Sequence, residues 1–437
     1  MSAPLASASA VSLRRGFCPG LSRPLPTGDG LLVRIAPIGT IALDAFAALC
    51  AAARAHGNGI VEVTARGSIQ VRGLSAESVP RFADAIAARG IAAQDGLPIL
   101  CNPLAGLDPA AMFDSAALAA AVRSAVAQQA FAGRLDPKVS IVIDDGASLN
   151  LAGVAADIRL RAQACDGDTM LRLAAGGDDA TAVDLGVIAM ADGAQAVSRL
   201  LLILAERGAR AREIIASEGA HGFVEALAFA LRSAANRDCE NSAPRQCRGP
   251  IGLHALRDGC FAAGIGLAFG HAEATALEQL LDAAAVAGAR GLRAAPDRSL
   301  LAIGLTSEST TRFFAAAAQV GFVTRADDQR RYVIACAGAP LCASAHIAAR
   351  AMAPRLAAIA ASYPSDGMTI HVSGCAKGCA HPGDAPLTVV GAPGHCGLVA
   401  NGTAHDAPFA SVPLHQLPAV ITAHLRKRRG GSGGSHV

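Results

Sequence analysis

Four cysteines toward the C-terminal end are spaced to hold a metal centre. Cys336 and Cys342 form one close pair, Cys375 and Cys379 a second, and both lie in stretches rich in Gly and Pro. Four thiolates so arranged can surround one soft centre, and a cubane [4Fe-4S] cluster takes four. Five residues stand between Cys336 and Cys342, more than the two to four a zinc knuckle prefers. The spacing therefore points to [4Fe-4S].

A second stretch has the chemistry to bind an anion. In Thr64-Ala-Arg66-Gly67-Ser68-Ile69-Gln70-Val71-Arg72-Gly73, a strand's period of two puts Ser68, Gln70 and Arg72 on one side and Ile69 and Val71 on the other. Arg66 falls at the turn, and Arg34, in an otherwise apolar strand, is expected to point the same way. A guanidinium offers carboxylates a planar two-pronged donor. Several on one face suit a ligand with several carboxylates; a solvated sheet face is the plainer reading.

The elements that position these residues repeat along the chain. A strand from Gly30 to Ile35 is followed by a helix, capped by Thr40, with Phe46, Leu49 and Ala53 at helical spacing. Next come a hairpin across Ala65-Arg66-Gly67 and a helix from Val79 to Arg89. The order returns as strand 264–269, helix 274–287, a hairpin turning at Pro296-Asp297 and helix 311–320. A strand then reaches a cysteine in each unit, Cys101 in the first and Cys336 in the second, which makes them counterparts. This is an internal duplication of long period. Between the units lies an α/β stretch with strands at 139–144, 150–154 and 170–174. A polar linker follows at 234–249, and an Ala-rich helix, 343–362, separates the two cysteine pairs. The boundaries read as an arm, 1–27; a half-domain, 28–91; an α/β domain, 92–248; a second half-domain, 249–327; a cluster domain, 328–427; and a flexible tail, 428–437.

The bulk properties narrow the class. Of 437 residues, 52 % are hydrophobic but only 3 % aromatic, with no Trp. The core must therefore be built from Ala, Leu, Val and Ile. A net charge of +3 makes no bulk case for nucleic acid. Arg14 and Arg15 follow the apolar N-terminal stretch, whereas a secretion signal carries its charges in front. No apolar run approaches the roughly 20 residues of a membrane span. The expectation is a cytoplasmic protein without membrane contact, whose 12 cysteines serve metal or packing rather than disulfides.

The Thr-x-Arg…Gln-x-Arg-Gly stretch, the duplicated halves and the two cysteine pairs together resemble the nitrite/sulfite reductase superfamily. The resemblance covers nearly the whole chain. It implies an α/β (α+β) fold of three α/β domains, with an internal duplication and ferredoxin-like half-domains paired about a pseudo-twofold axis. It also implies that Cys336, Cys342, Cys375 and Cys379 hold a [4Fe-4S] cluster, and that Arg34, Arg66, Gln70, Arg72 and Lys138 line a tetrapyrrole pocket. The reductases carry Pro-x-Lys-x-Lys where this chain has Pro137-Lys138-Val139-Ser140, and an expected Arg is Leu97. Both positions hold the small inorganic anion in the reductases.

The segments Arg15-Gly-Phe-Cys18-Pro19-Gly20 and His371-Val-Ser-Gly-Cys375-Ala-Lys-Gly-Cys379-Ala-His381-Pro382 resemble the oxygen-dependent branch of that superfamily, the precorrin-3B synthases of aerobic cobalamin biosynthesis. In that branch the tetrapyrrole is the substrate: precorrin-3A is hydroxylated at C-20 with O2, and a γ-lactone closes. The implied partners are precorrin-3A, O2 and an external electron donor, NADH through a reductase or a ferredoxin. A mononuclear non-haem iron is implied beside the cluster, with ligands that no motif here identifies. His346, His371, His381 and His395 lie near the cluster loops, but each is as readily a loop or core histidine. Cys18 and Cys396 fit packing better than chemistry. Two alternatives stand: a sirohaem-dependent nitrite or sulfite reductase, and a non-catalytic electron-transfer or tetrapyrrole-binding module.

Overall fold

A computed structural model describes residues 19–431 except 95, 130, 132, 150, 233–248 and 363–367. Cys18, most of the N-terminal arm, nearly all of the linker and the end of the tail lie outside the described residues.

The first half-unit forms as its periodicity predicts. It comprises β1 (Leu25–Thr27), β2 (Gly30–Ile35), α1 (Leu43–His56), β3 (Ile60–Val63), β4 (Ile69–Leu74) and α2 (Ser78–Ala87). Phe46, Leu49 and Ala53 are fully buried along one stripe of α1. Gly57 ends that helix where any Cβ would sit 2.6 Å from the Arg72 carbonyl oxygen. Thr40 does not cap α1; Ala42 holds that position, and the Thr40 hydroxyl instead accepts from Arg293 Nε at 2.7 Å.

The middle of the chain supplies β5 (Ile99–Cys101), α3 (Ser115–Ala127), β6 (Ile141–Asp144), β7 (Ala156–Cys165), β8 (Asp168–Gly177), β9 (Val183–Ala189), α4 (Gly193–Arg207), α5 (Ala211–Glu218) and α6 (His221–Ala226). Among the described residues 151–154 the expected strand is absent. The buried Asp144 carboxylate accepts from the N–H groups of Gly146 and Leu151 and keeps this stretch a loop. The strand starts instead at Ala156 and turns through Asp166-Gly167, both at positive φ. Cys165, at the end of β7, is disulfide-bonded, contrary to the expectation of thiols alone.

The second half-unit comprises β10 (Gly252–Ala255), β11 (Phe261–Gly266), β12 (His271–Glu273), α7 (Ala274–Val286), β13 (Gly291–Ala295), β14 (Ser299–Leu305) and α8 (Ser307–Val320). The cluster segment follows with β15 (Val333–Ala335), α9 (Ala349–Ala361), β16 (Ile370–Ser373), β17 (Ala385–Ala392), β18 (His395–Gly402), β19 (Ala410–Pro413) and α10 (Leu417–Gly431). Helix α9 starts six residues later than its composition suggests. Residues 338–348 are held in turns instead, with Ala339 N–H on the Ile347 carbonyl and His346 N–H on that of Gly374.

The two half-units share one core. Helices α1, α2, α7 and α8 pack into a single buried cluster that includes Phe46, Leu49, Leu277, Leu280 and Phe313. Strand β12 of the second half pairs with β3 of the first, and bridges join Ile41 to Leu292 and Arg66 to Pro296. The two larger sheets also repeat one another. Orders β5-β6-β7-β8-β9 and β15-β16-β17-β18-β19 each run parallel over three strands and antiparallel over the last two. The chain is thus an α/β protein with an internal duplication and half-domains paired about a pseudo-twofold axis.

The duplicated sheets align residue by residue. Ile141 N–H bonds the Pro98 carbonyl, and Ile370 N–H that of Tyr332. The ladders Ile99↔Ile141 and Val333↔Ile370 continue from there. Cys101 therefore matches Ala335, not Cys336 as the sequence suggested; Asn102 stands at the Cys336 position and Asp145 at that of Gly374. A further bond agrees, since Met112 N–H reaches the Asp145 carbonyl as His346 N–H reaches that of Gly374.

Candidate cluster site and its arginine face

The structure gathers the four cysteines at the C-terminal ends of the parallel strands β15 and β16. Cys336 directly follows β15, and its Sγ accepts from Gly374 N–H at 3.0 Å. Burial pushes the Cys336 thiol up; the N–H groups of Gly374 and Gly338 act against that, and the charges of Cys379 and Cys375 add to it. Burial likewise raises Cys375, which also feels Cys379 and Cys342. Each of the four thiols thus lies within electrostatic reach of another. Two glycines make room for sulfur: a Cβ on Gly28 would sit 2.4 Å from Cys342 Sγ, and one on Gly374 3.4 Å from Cys336 Sγ. In a cubane each cysteine binds a different iron, so the sulfurs need only ring a common space. Sulfur donors, N–H groups aimed at sulfur and glycines set against two of the sulfurs fit that group. Among the described residues no three His, Cys, Asp or Glu converge on a single metal ion. Among the described residues, then, no such set of three is seen for the expected mononuclear iron.

The hairpin β1–β2 carries the first half-unit to this site. Its tip, Gly28-Asp29, touches Cys342 through Gly28, while Ala343 N–H bonds the Gly28 carbonyl at 2.8 Å. On the other side Asp29 meets Arg72 in a two-pronged pair, with Arg72 Nε and Nη2 each donating at 2.8 Å. Burial opposes both charges, yet each partner overcomes it. Asp29 sits below the usual carboxylate range, and Arg72, helped also by Glu62, above the usual arginine range. Cys379 adds to the field at Arg72.

Around this pair the polar face of β2–β4–β3 forms a continuous network. Arg34 Nη2 donates to Gln70 Oε1 at 3.0 Å, and Gln70 Nε2 to Glu62 Oε2 at 3.4 Å. Glu62 lies 3.8 Å from Arg72 Nη1 and accepts from Arg350 Nη2 at 2.7 Å. The alternation read from sequence is realised: Ile69 and Val71 are fully buried on the helix side, and Gln70 and Arg72 lie on the other. Arg34, Gln70 and Arg72 come together. Arg66 is exposed on its turn and donates to the Ala155 carbonyl of the middle sheet. Lys138 is exposed, its own N–H capped by Asp136 at 2.8 Å, and its ammonium makes no ion pair among the described residues.

Residues that no motif indicated complete the face. Arg350 opens α9, and Arg298 occupies the β13–β14 turn within the field of Glu62. His271, on β12 opposite Glu62, is pushed down to about 3 by burial and by Arg350. His371 is fully buried, and among the described residues neither ring nitrogen has a hydrogen-bond partner. Burial, His381 and Arg298 push it down to about 4. Its ring stands edge-on to His381 at 5.7 Å. An open groove of about 620 Å³ between α9 and α10, lined by Arg355, Ile359, Pro418, Ala419, Thr422, Ala423 and Arg426, contains none of these residues. The site is therefore a sulfur-lined space bordered by a cation-rich sheet face. It can hold a redox cluster on one side and a polycarboxylate on the other.

Comparison with known proteins bears on the fold and the family. Residues 23–89 match the family described as Nitrite/Sulfite reductase ferredoxin-like half domain. The NirA protein of Mycobacterium tuberculosis superposes with a TM-score of 0.68 at 19 % identity, over 91 % of this chain and 80 % of that one. A Precorrin-3B synthase from Sinorhizobium sp is 40 % identical over 408 residues, 92 % of this chain and 86 % of the relative. Among the described residues no helix is long and apolar enough to cross a membrane.

Proposed function

Since the chain belongs to the precorrin-3B synthase family, we propose that it is an oxidoreductase that hydroxylates precorrin-3A at C-20 with O2, a ring A acetate closing the γ-lactone onto C-1. The observation that carries this reading is the β1–β2 tip. One residue of it touches a cluster cysteine and the next fixes an arginine of the polar face. A macrocycle held by its carboxylates on that face lies beside the cluster.

In this reading Cys336, Cys342, Cys375 and Cys379 hold a [4Fe-4S] cluster. When bound, it supplies electrons one at a time, from NADH through a reductase or from a ferredoxin. The chain's own residues position the substrate. Asp29 and Glu62 hold Arg72 and Arg350 in fixed poses, so the face is organised before a ligand arrives and little side-chain entropy is lost on binding. Arg34 is held likewise through Gln70. Orientation matters here because a misplaced carbon would be oxidised at the wrong position.

Anaerobic incubation of purified protein with precorrin-3A and a reductant, then admission of O2, tests the reading by mass spectrometry. Gain of one oxygen atom is expected. An intense Soret band from bound sirohaem, with turnover of nitrite or sulfite and no oxygenated macrocycle, overturns it in favour of a reductase.

A further inference from the structure

We propose that Arg298 and Arg350 are the residues that take substrate carboxylates at this site, while Arg72 serves chiefly to fix the hairpin tip. This inference rests on the function proposed above.

The argument begins with donors that lack acceptors. Arg350 gives one nitrogen to Glu62, but its Nε and Nη1 are buried and unpartnered among the described residues. The Arg298 side chain makes no hydrogen bond or ion pair among the described residues, although it is half-buried and within electrostatic reach of Glu62 and His371. Burial disfavours its charge and lowers its pKa, with Asp297 and Glu62 acting against that. A buried guanidinium stays protonated, and its desolvation is offset only when an anion meets it. Arg72 differs: both prongs of its fork are occupied by Asp29.

Both cations are also held against local preference. Arg298 has φ +59° in the β13–β14 turn, after Asp297 at +56°. The turn spans three residues, since Ala295 pairs with Ser299, and the left-handed conformation at Arg298 is one that glycine adopts without strain and a long side chain does not. Neighbouring Gly270 leaves space for Arg298, since a Cβ on it would lie 2.8 Å from Arg298 Cδ. Arg350 sits in the first turn of α9, where the helix dipole disfavours a cation. Two basic residues in unfavourable places, both with unused donors, mark a place for a ligand's negative charge.

The test uses the full chain with its cluster, and precorrin-3A without O2, so that binding is measured apart from turnover. Arg298→Gly removes the cation while relieving the left-handed turn. The proposal expects its thermal stability to be equal or higher and its Kd for precorrin-3A to rise about 10- to 100-fold, the worth of charge-assisted hydrogen bonds. Arg350→Gln is expected to show a similar rise, and Arg298→Lys part of the wild-type affinity. Wild-type Kd in both Arg298→Gly and Arg350→Gln overturns the assignment and leaves the proposed function standing. Wild-type protein that neither binds nor oxidises precorrin-3A overturns both.

Discussion

Replacing Gly28 by alanine tests whether the β1–β2 tip is the joint between cluster and sheet. The added Cβ would stand 2.4 Å from Cys342 Sγ, 3.1 Å from Ser344 Oγ and 3.3 Å from Ser344 N. The first contact is about 1 Å short of van der Waals distance. Neither side can yield freely, because Ala343 N–H is bonded to the Gly28 carbonyl and Asp29 is locked to Arg72. Gly28 is not at positive φ, so the effect is one of space alone. Overpacking of this kind costs about 1–3 kcal/mol, and a ligand displaced by about 1 Å no longer meets its metal well. Gly28→Ala should therefore fold, with a modest loss of thermal stability, but hold less than half the wild-type iron and sulfide after anaerobic reconstitution. Gly153→Ala, whose Cβ meets nothing within 4 Å at ordinary φ, is the matched control and should be neutral. Wild-type iron and sulfide in Gly28→Ala, with the same rate of bleaching in air, would refute the reasoning.

Three further outcomes follow from the same network. Asp29→Asn leaves Arg72 buried with Glu62 alone at 3.8 Å, and should cost about 3–5 kcal/mol in denaturant unfolding; a loss under 1 kcal/mol contradicts the pairing. His371 stays neutral when folded, its pKa lowered to about 4 against an ordinary 6.5. The unfolded chain thus binds the extra proton first, and stability falls as pH drops from 6.5 toward 4, by about 3 kcal/mol for this residue. His371→Val should flatten that part of the pH–stability curve, and an unchanged slope would sink the idea. Cys379→Ser should lose the brown cluster absorption while keeping its far-ultraviolet dichroism, and a full complement of iron would contradict its role as a ligand.

Local pattern carried much of this fold. Phe46, Leu49 and Ala53 repeat at helical spacing because one side of α1 must be dry, and Ile69 and Val71 alternate because β4 covers helices on one face only. The cysteine pairs were legible from spacing because both loops come off the ends of neighbouring parallel strands. Arg298 and Arg350 were not. One lies in an unremarkable Pro-Asp-Arg turn and the other among alanines, and only packing brings them to Glu62, which is remote in sequence from both. A trace existed in Arg350 itself, a cation at the wrong end of a helix. The 150–154 segment misled because its apolar residues line a loop held by Asp144, where side-chain bonds replace the ladder a strand would have made. Cys101 misled by a single position, which only strand register could reveal.

That register has a consequence for assembly. At the position matching Cys336, the middle sheet has Asn102, whose amide donates to Asp145 Oδ1 at 3.0 Å while Ser115 donates to Oδ2 at 2.6 Å. Asn102 also accepts from Leu104 N–H through its own oxygen. The same crossing of strand ends is therefore built twice in one chain, once around sulfur and once around amide, hydroxyl and carboxylate. The second version is closed by side-chain bonds where the first has sulfur. On the proposed reading, a cluster would enter a socket whose outline the strand ends already share with this counterpart, so its insertion would be expected to follow folding.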